Sequence, residues 1–342
     1  MIIVMQPGAR EEDVQHVVDR VEEAGLDVVL LRGEKRNVIA AIGDRRELVT
    51  ERWLAAPGVE RVVPILSPYK LASREAALGA TPVRINGSVL GEQKVQVIGG
   101  PCAVEDYDTT LRIARAVKAA GGIGLRGGAY KPRTSPHSFQ GLEEDGLKVL
   151  HAVGKEVGLP VVTEVLSPEQ VDLVCRYADV LQVGARNMQN FSLLKALGRI
   201  DKPVLLKRGI SATVDEFLLA AEYVLKGGNP RVILCCRGIR TFEDHMRFTL
   251  SIGTVAHLKE VTHLPVIVDP SHPAGRRSLV GPLAKAAVAC GADGLIVEVH
   301  PDPESAPVDG QHTLTCDDFA QLMRELAPVA EAVGRTMGGT VQ

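Results

Sequence analysis

From residue 94 onward the chain repeats one phrase, a short unbroken apolar run rich in Val, Ile and Leu followed by a stretch with helical spacing. Eight such runs occur: KVQVIGG, GIGLRGG, PVVTEV, VLQVG, PVLLKRG, RVILCCRG, PVIVDPSH and GLIVEVH. The helical text reads TTLRIARAVKAAG, GLEEDGLKVLHAVGKEVG, PEQVDLVCRYA, FSLLKALG, ATVDEFLLAAEYVLKGG, EDHMRFTLSIGTVAHLKEVT, PLAKAAVACG and, last, TCDDFAQLMRELAPVAEAVG. A strand with one wet face alternates apolar with polar residues, whereas an unbroken apolar strand is buried on both faces, and helical returns make such strands parallel. Eight of them in ~240 residues is the arithmetic of an α/β fold of the (β/α)8 TIM-barrel type, although an open doubly wound sheet carries the same local text.

The first 66 residues have a different order: strand MIIVM, helix EEDVQHVVDRVEEAG, strands DVVLLRG and NVIAAIG, helix RRELVTERWLAA, strand VERVVPIL. That order predicts a ferredoxin-like α+β sandwich over residues 1–66. Residues 67–82, with Pro68 and Pro82, read as a linker. VRINGSVLG reads as a hairpin turning at Asn86-Gly87, so the barrel with its hairpin spans 83–338, and the tail beyond is expected to be loose. A chain of 342 residues with 45% hydrophobic content is large enough for both units. Its formal charge of −3 supplies no global basic field to draw it to nucleic acid or an anionic membrane. No run approaches the ~18 apolar residues that span a bilayer, and the N-terminus lacks a basic leader and a cleavage site, which predicts a cytoplasmic protein. The six cysteines form neither a disulfide ladder nor a C-x-x-C pair.

In such a barrel the working face lies at the carboxyl ends of the strands, and polar residues gather there: Cys102, Arg126 with Lys131, Glu164, Arg186, Lys207 with Arg208, Arg237, Asp269 with His272, and Glu298 with His300. Charged side chains at buried strand ends need a ligand or one another. The set is sorted by type. Closure makes the eighth and first strands neighbours, bringing Cys102, His272 and Glu298 to one side, with Asp309 of PESAPVDGQHTL near in sequence. Thiol, imidazole and carboxylates are donors for a divalent metal ion, with Mn, Fe, Co and Zn all open. Arg126, Lys131, Arg133, Arg186, Lys207 and Arg237 form a cationic bowl opposite, suited to a small, multiply anionic substrate. Pro132 stiffens the loop, and Thr134 and Ser135 add hydroxyl donors. DPSHPAGRRS, with Ser271, Gly275 and Arg276, is a lesser phosphate candidate. Arg208, Arg276, Arg277 and His300 stay unassigned, and His16, His151, His245, His257 and His263 read as packing or surface residues.

With those residues in view, the segments GPCAVE, LRGGAYKPRTSPHSFQG, TEV, QVGARNMQN, LLKRG, CCRG, DPSH, VEVH and the DG before QHTL, in this order across residues ~85–335, closely resemble 3-deoxy-D-arabino-heptulosonate 7-phosphate (DAHP) synthases. The likeness is strongest to the short bacterial and archaeal type with an N-terminal ferredoxin-like extension. It implies a metal-dependent condensation of phosphoenolpyruvate with erythrose 4-phosphate and water, giving DAHP and phosphate, the first step of the shikimate pathway. It further implies Cys102, His272, Glu298 and Asp309 as metal ligands, with Lys131, Glu164 and His272 catalytic. Substrate contacts would come from Arg126, Lys131, Pro132, Arg133, Thr134, Ser135, Gly184, Ala185, Arg186, Lys207, Arg237 and Asp269. The N-terminal unit resembles the regulatory domains of this family, which take an aromatic amino acid such as tyrosine or phenylalanine; oligomer packing is its alternative role. A homotetramer and a chorismate mutase partner are further family expectations. One departure is His137, where many relatives have Tyr. The sister enzymes that make 3-deoxy-D-manno-octulosonate 8-phosphate from a five-carbon aldose have Ala-Asn before the loop arginine, so Pro132 followed by Arg133 favours the four-carbon aldose. Metal-independent members of that sister group carry Asn in place of Cys102. A non-catalytic barrel sensing phosphoenolpyruvate or an aromatic amino acid is the rival from another class.

Overall fold

The described strands of the N-terminal unit pair antiparallel. In this computed structural model, which describes residues 1–33, 36–43, 53–63, 68–77, 79–132, 135 and 137–339, β1 (Ile2–Met5), β2 (Asp27–Arg32), β3 (Asn37–Ile42) and β4 (Val59–Val63) form a sheet in the order β2-β3-β1-β4. Helix α1 (Glu11–Glu23) opens on Glu11, Glu12 and Asp13, which complement the positive end of its dipole. The second helix expected here lies largely outside the described residues, which include only its close at Trp53 and Leu54. The period of two explains how the sheet is used. Ile3, Met5, Ile39 and Ala41 face Val14, Val17, Val21 and Trp53 in one cluster, while Ile2, Val4, Val38 and Ala40 belong to a cluster continuous with the core of the larger unit.

The segment before the barrel is strapped down. Glu222 accepts hydrogen bonds from the backbone N–H groups of Lys70, Leu71 and Ala72 at 2.9, 2.7 and 2.9 Å. His263 sits between Leu71 O and Thr81 Oγ1, each 2.7 Å from a ring nitrogen. The hairpin β5 (Val83–Ile85) and β6 (Ser88–Leu90) turns through Asn86 and Gly87, both at positive φ (45° and 92°), the type I′ geometry that Asn-Gly favours. Its Val83, Ile85 and Leu90 pack with Ile98, Val162, Val180, Leu205, Ile233, Ile267 and Ile296, plugging the amino end of the strands.

The barrel has eight parallel strands, all but β8 supplying one of those inward residues: β7 (Lys94–Gly100), β8 (Gly124–Arg126), β9 (Val161–Glu164), β10 (Val180–Val183), β11 (Val204–Lys207), β12 (Val232–Cys236), β13 (Val266–Val268) and β14 (Gly294–Glu298). The sheet closes because β14 pairs with β7 in register from Gly294↔Gln96 to Glu298↔Gly100, which excludes the open sheet. The returns are α2 (Tyr107–Ala119), α3 (Glu143–Val157), α4 (Val171–Tyr177), α5 (Phe191–Leu197), α6 (Val214–Lys226), α7 (Ile252–Val261), the short α8 (Ser271–Ala274) leading into α9 (Arg277–Ala289), and α10 (Cys316–Ala332).

Two features differ from the sequence reading. The helix read from residue 243 starts at Ile252, and residues before it form a loop held by reciprocal backbone bonds between Ile239 and Thr249. The chain near its end adds β15 (Thr336–Met337), parallel to β7, with Gly338 N bonded to Val95 O at 2.8 Å; of the tail expected to be loose beyond it, residues 340–342 lie outside the described residues. No helix among the described residues is long and apolar enough to cross a membrane.

Candidate active site

Closure sets the site. Because Glu298 pairs with Gly100, the last carboxylate of β14 stands beside the turn that carries Cys102. Gly100 has φ 154°, and a Cβ there would lie 1.9 Å from Arg126 O, so only glycine lets β7 and β8 approach this closely. Arg126, at the end of β8, donates through Nη1 to Glu298 Oε1 at 2.8 Å, with both side chains buried. Lys131 reaches back from the loop after β8 to place Nζ 2.9 Å from Cys102 O and 3.1 Å from its Sγ. On the other side of the thiol, Asp309 Oδ2 is 3.3 Å from Sγ.

The first turn of α8 supplies His272. Its Nδ1 is 2.7 Å from Asp269 Oδ2, and its Nε2 is 3.6 Å from Glu298 Oε1. Lys207 Nζ lies 2.6 Å from the same Asp269 oxygen. Asp269, expected at the substrate, is paired with His272 and Lys207. The four expected metal donors fall into two groups that meet at Glu298. Cys102, Glu298 and Asp309 bring ligand atoms within 4.8 Å of one another; His272 and Glu298 do so with His312, which sequence reasoning missed; Glu298 links the two groups. Arg247 Nη1, 2.9 Å from Asp309 Oδ1, is a second omission.

Burial and charge compete here. Burial pushes the Cys102 thiol up to about 12, with Glu298 adding to the effect and Lys131 opposing it, so a cation is what would make this sulfur a thiolate. Burial drives His272 down to about 4, which leaves its imidazole neutral and its lone pair free for a ligand. For Glu298, burial acts upward but His272, His312 and Arg126 outweigh it, holding the carboxyl well below its usual range. Asp269 behaves alike through His272 and Lys207. Glu164 goes the other way: burial raises it against the pull of Lys131 and Lys207. Soft and hard donors, ionised or lone-pair bearing, with buried Glu298 Oε2 and His312 Nε2 lacking a hydrogen-bond partner among the described residues, fit a divalent ion.

Against this cluster opens a cavity of about 540 Å³. Its walls include Arg126, Lys131, Pro132, Ser135, Glu164, Gly184, Ala185, Arg186, Lys207, Arg237 and His272. Arg133 and Thr134 lie outside the described residues. Gln182, Arg240, Arg247 and Phe248 also border it and were not anticipated. The last three come from text read partly as helix, and the Arg237 guanidinium lies 4.4 Å from the centre of the Phe248 ring. Of the residues left unassigned, Arg208 is spent on Ala212 O, Arg277 on Thr313 O, and His300 on Glu105 and Asp302 O. Arg276 borders a separate hollow shared with Arg247 and Asp309.

The sequence matches the DAHP synthetase I family over residues 80–333 and the DAHP synthase ferredoxin-like domain over residues 1–67. A phospho-2-dehydro-3-deoxyheptonate aldolase of Thermotoga maritima is 47% identical over 334 residues, covering 98% of this chain and 99% of its own. A 2-dehydro-3-deoxyphosphooctonate aldolase of Syntrophobacter fumaroxidans is 32% identical over 270 residues, covering 74% of this chain and 93% of its own. Among solved structures, the Thermotoga maritima DAHP synthase superposes with a TM-score of 0.78 at 46% identity, covering 98% of both chains. A truncated form of the Thermotoga maritima enzyme gives 0.74 at 44% identity, covering 79% of this chain and 99% of that one.

Proposed function

This chain belongs to the DAHP synthetase I family, and from that premise we propose how its residues divide the work of condensing phosphoenolpyruvate with erythrose 4-phosphate. The reaction joins the enol carbon of phosphoenolpyruvate to the aldehyde carbon, adds water at the second carbon, and expels phosphate by carbon–oxygen cleavage. The observation that carries the assignment is the facing of a cationic cavity onto a buried donor cluster at the one seam where β14 meets β7.

Lys131, Arg186, Lys207 and Arg237 hold the phosphate and carboxylate of phosphoenolpyruvate, where paired donors suit planar and tetrahedral anions. Arg126 stands alongside, shared with Glu298. Pro132, Arg133, Thr134 and Ser135 seat the aldose phosphate, and Gly184 with Ala185 give the substrates close backbone approach. The cations bring together two phosphorylated molecules that would otherwise repel. Cys102, His272, Glu298 and Asp309 hold one divalent ion, which when bound supplies Lewis-acid polarisation of the aldehyde. Lys131, next to the thiol, delivers a proton to the aldehyde oxygen as the new bond forms. Glu164, with its raised carboxyl and Gln182 Nε2 3.4 Å away, orients the attacking water.

Residues 1–66 form a regulatory domain for tyrosine or phenylalanine, 67–82 a linker, and 83–338 the catalytic barrel. The truncated Thermotoga maritima form, which covers 79% of this chain, supports a catalytic part that folds without the rest. The protein works in the cytoplasm as a homotetramer open to a chorismate mutase partner.

Phosphate release tests this reading. It is expected with phosphoenolpyruvate and erythrose 4-phosphate, to vanish with a chelator, and to return with a divalent ion. Equal turnover of arabinose 5-phosphate would favour octulosonate synthesis, and release indifferent to chelator would remove the metal assignment.

A further inference from the structure

We propose that His312 is a fifth donor of the cation centre, sharing its ion with His272 and Glu298. The proposal rests on the reading of Cys102, His272, Glu298 and Asp309 as ligands and adds a residue outside that set. His312 is 2% exposed, and its Nε2 lies 3.0 Å from Glu298 Oε2. Neither atom has a hydrogen-bond partner among the described residues, so the pair is close without being aligned as donor and acceptor. Buried polar atoms are almost always paired, and these two can be satisfied either by a proton held between them or by a cation that both ligate. A cation between a carboxylate oxygen and an imidazole lone pair satisfies both.

The position of His272 points to the same place. Its ligand atom lies within 4.8 Å of those of Glu298 and His312, whereas Cys102 is grouped with Glu298 and Asp309. The two rings are tilted at 48° with centroids 5.6 Å apart, compatible with two imidazoles converging on one ion. The backbone holds His312 there. Asp309 adopts φ 59° and opens the single turn Gly310–His312, Thr313 Oγ1 donates to Asp309 O at 2.9 Å, and Arg277 Nε donates to Thr313 O at 2.8 Å. One short turn thus delivers both a carboxylate and an imidazole to the neighbourhood of Glu298. Two imidazoles and a thiolate among five donors favour borderline ions such as Fe(II), Co(II) or Zn(II) over Mg(II) or Ca(II).

The test loads the full-length, chelator-stripped protein with one equivalent of Co(II). Two hyperfine-shifted imidazole spin systems are expected by proton NMR, one of which disappears in His312→Gln. Co(II) affinity, measured by competition with a chelator, should weaken by about 10–100-fold in that variant. A single shifted imidazole in the unaltered protein, or a count and affinity unchanged by His312→Gln, overturns the proposal. The thiolate-to-cobalt absorption band reports the underlying reading separately: one imidazole with the band present sinks His312 alone, and loss of both band and binding in the unaltered protein sinks the whole centre.

Discussion

Gly184 has no side chain because Glu164 occupies the space one would take. A Cβ on Gly184 would stand 2.0 Å from Glu164 Oε1, and the atom that must yield is the far end of a movable side chain rather than backbone. Gly184→Ala should therefore leave the fold intact and shift the carboxylate. A displacement of about 1 Å at a reacting group can cost about 10²-fold, so kcat should fall by that order. Glu164→Gln should fall comparably, and the double variant should be no worse than either single one, since both act on one group. Full additivity would show that Gly184 matters for another reason. Lys131→Met should cost about 10²–10⁴-fold in turnover if its ammonium is the proton donor; near-native rates would remove that role. At this scale the sequence is legible where a residue ends an apolar run, as with Arg126, Lys207 and Glu298. His312 and Arg247 do neither. They reach the site from loops, and no periodicity records where a loop folds back.

Elements were easier to read than loops because burial imposes a period on them. All eight apolar runs are strands, and the hairpin turn was visible in two residues. Residues 243–251 misled because EDHMRFTLS has helical spacing, yet Arg247 and Phe248 are drawn to the cavity instead. The straps before the barrel were invisible, since His263 looks like any histidine on helical text. Burial favours the neutral ring, and with Nε2 donating to Leu71 O its Nδ1 then accepts from the Thr81 hydroxyl. Burial lowers its pKa from the ordinary 6.5, with the Leu71 bond opposing and Arg74 assisting. The unfolded chain thus takes up the proton first. Stability from this group is complete above about pH 6.5 and is lost as pH falls toward the folded-state value, at most about 1.4 kcal/mol per pH unit. In urea unfolding, His263→Gln should be less stable at pH 8 by about 1 kcal/mol, and the gap should narrow by pH 5. Parallel curves for the two proteins would count against the neutral strap.

At the scale of the whole molecule, closure and docking are non-local facts that the sequence states only indirectly. Local text could not separate a barrel from an open sheet; the pairing of β14 with β7 does. Nor could it show that the N-terminal sheet is covered on both faces. Ile2, Val4, Val38 and Ala40 are buried in a cluster that runs into the barrel core, and Lys226 Nζ of α6 lies 3.1 Å from Asp27 Oδ2 of β2. The surface pair contributes little, whereas the shared apolar face is where coupling can reside. Removal of residues 1–66, with the strapped linker retained, should then have two separable effects. Turnover should persist, because every group assigned to the chemistry lies beyond residue 100. Inhibition by tyrosine or phenylalanine should be abolished, and thermal stability should drop because the face once packed against β1 and β3 becomes wet. A truncated protein that is less stable yet still inhibited would place the effector on the barrel. One that loses neither stability nor inhibition would mean that the shared cluster couples nothing.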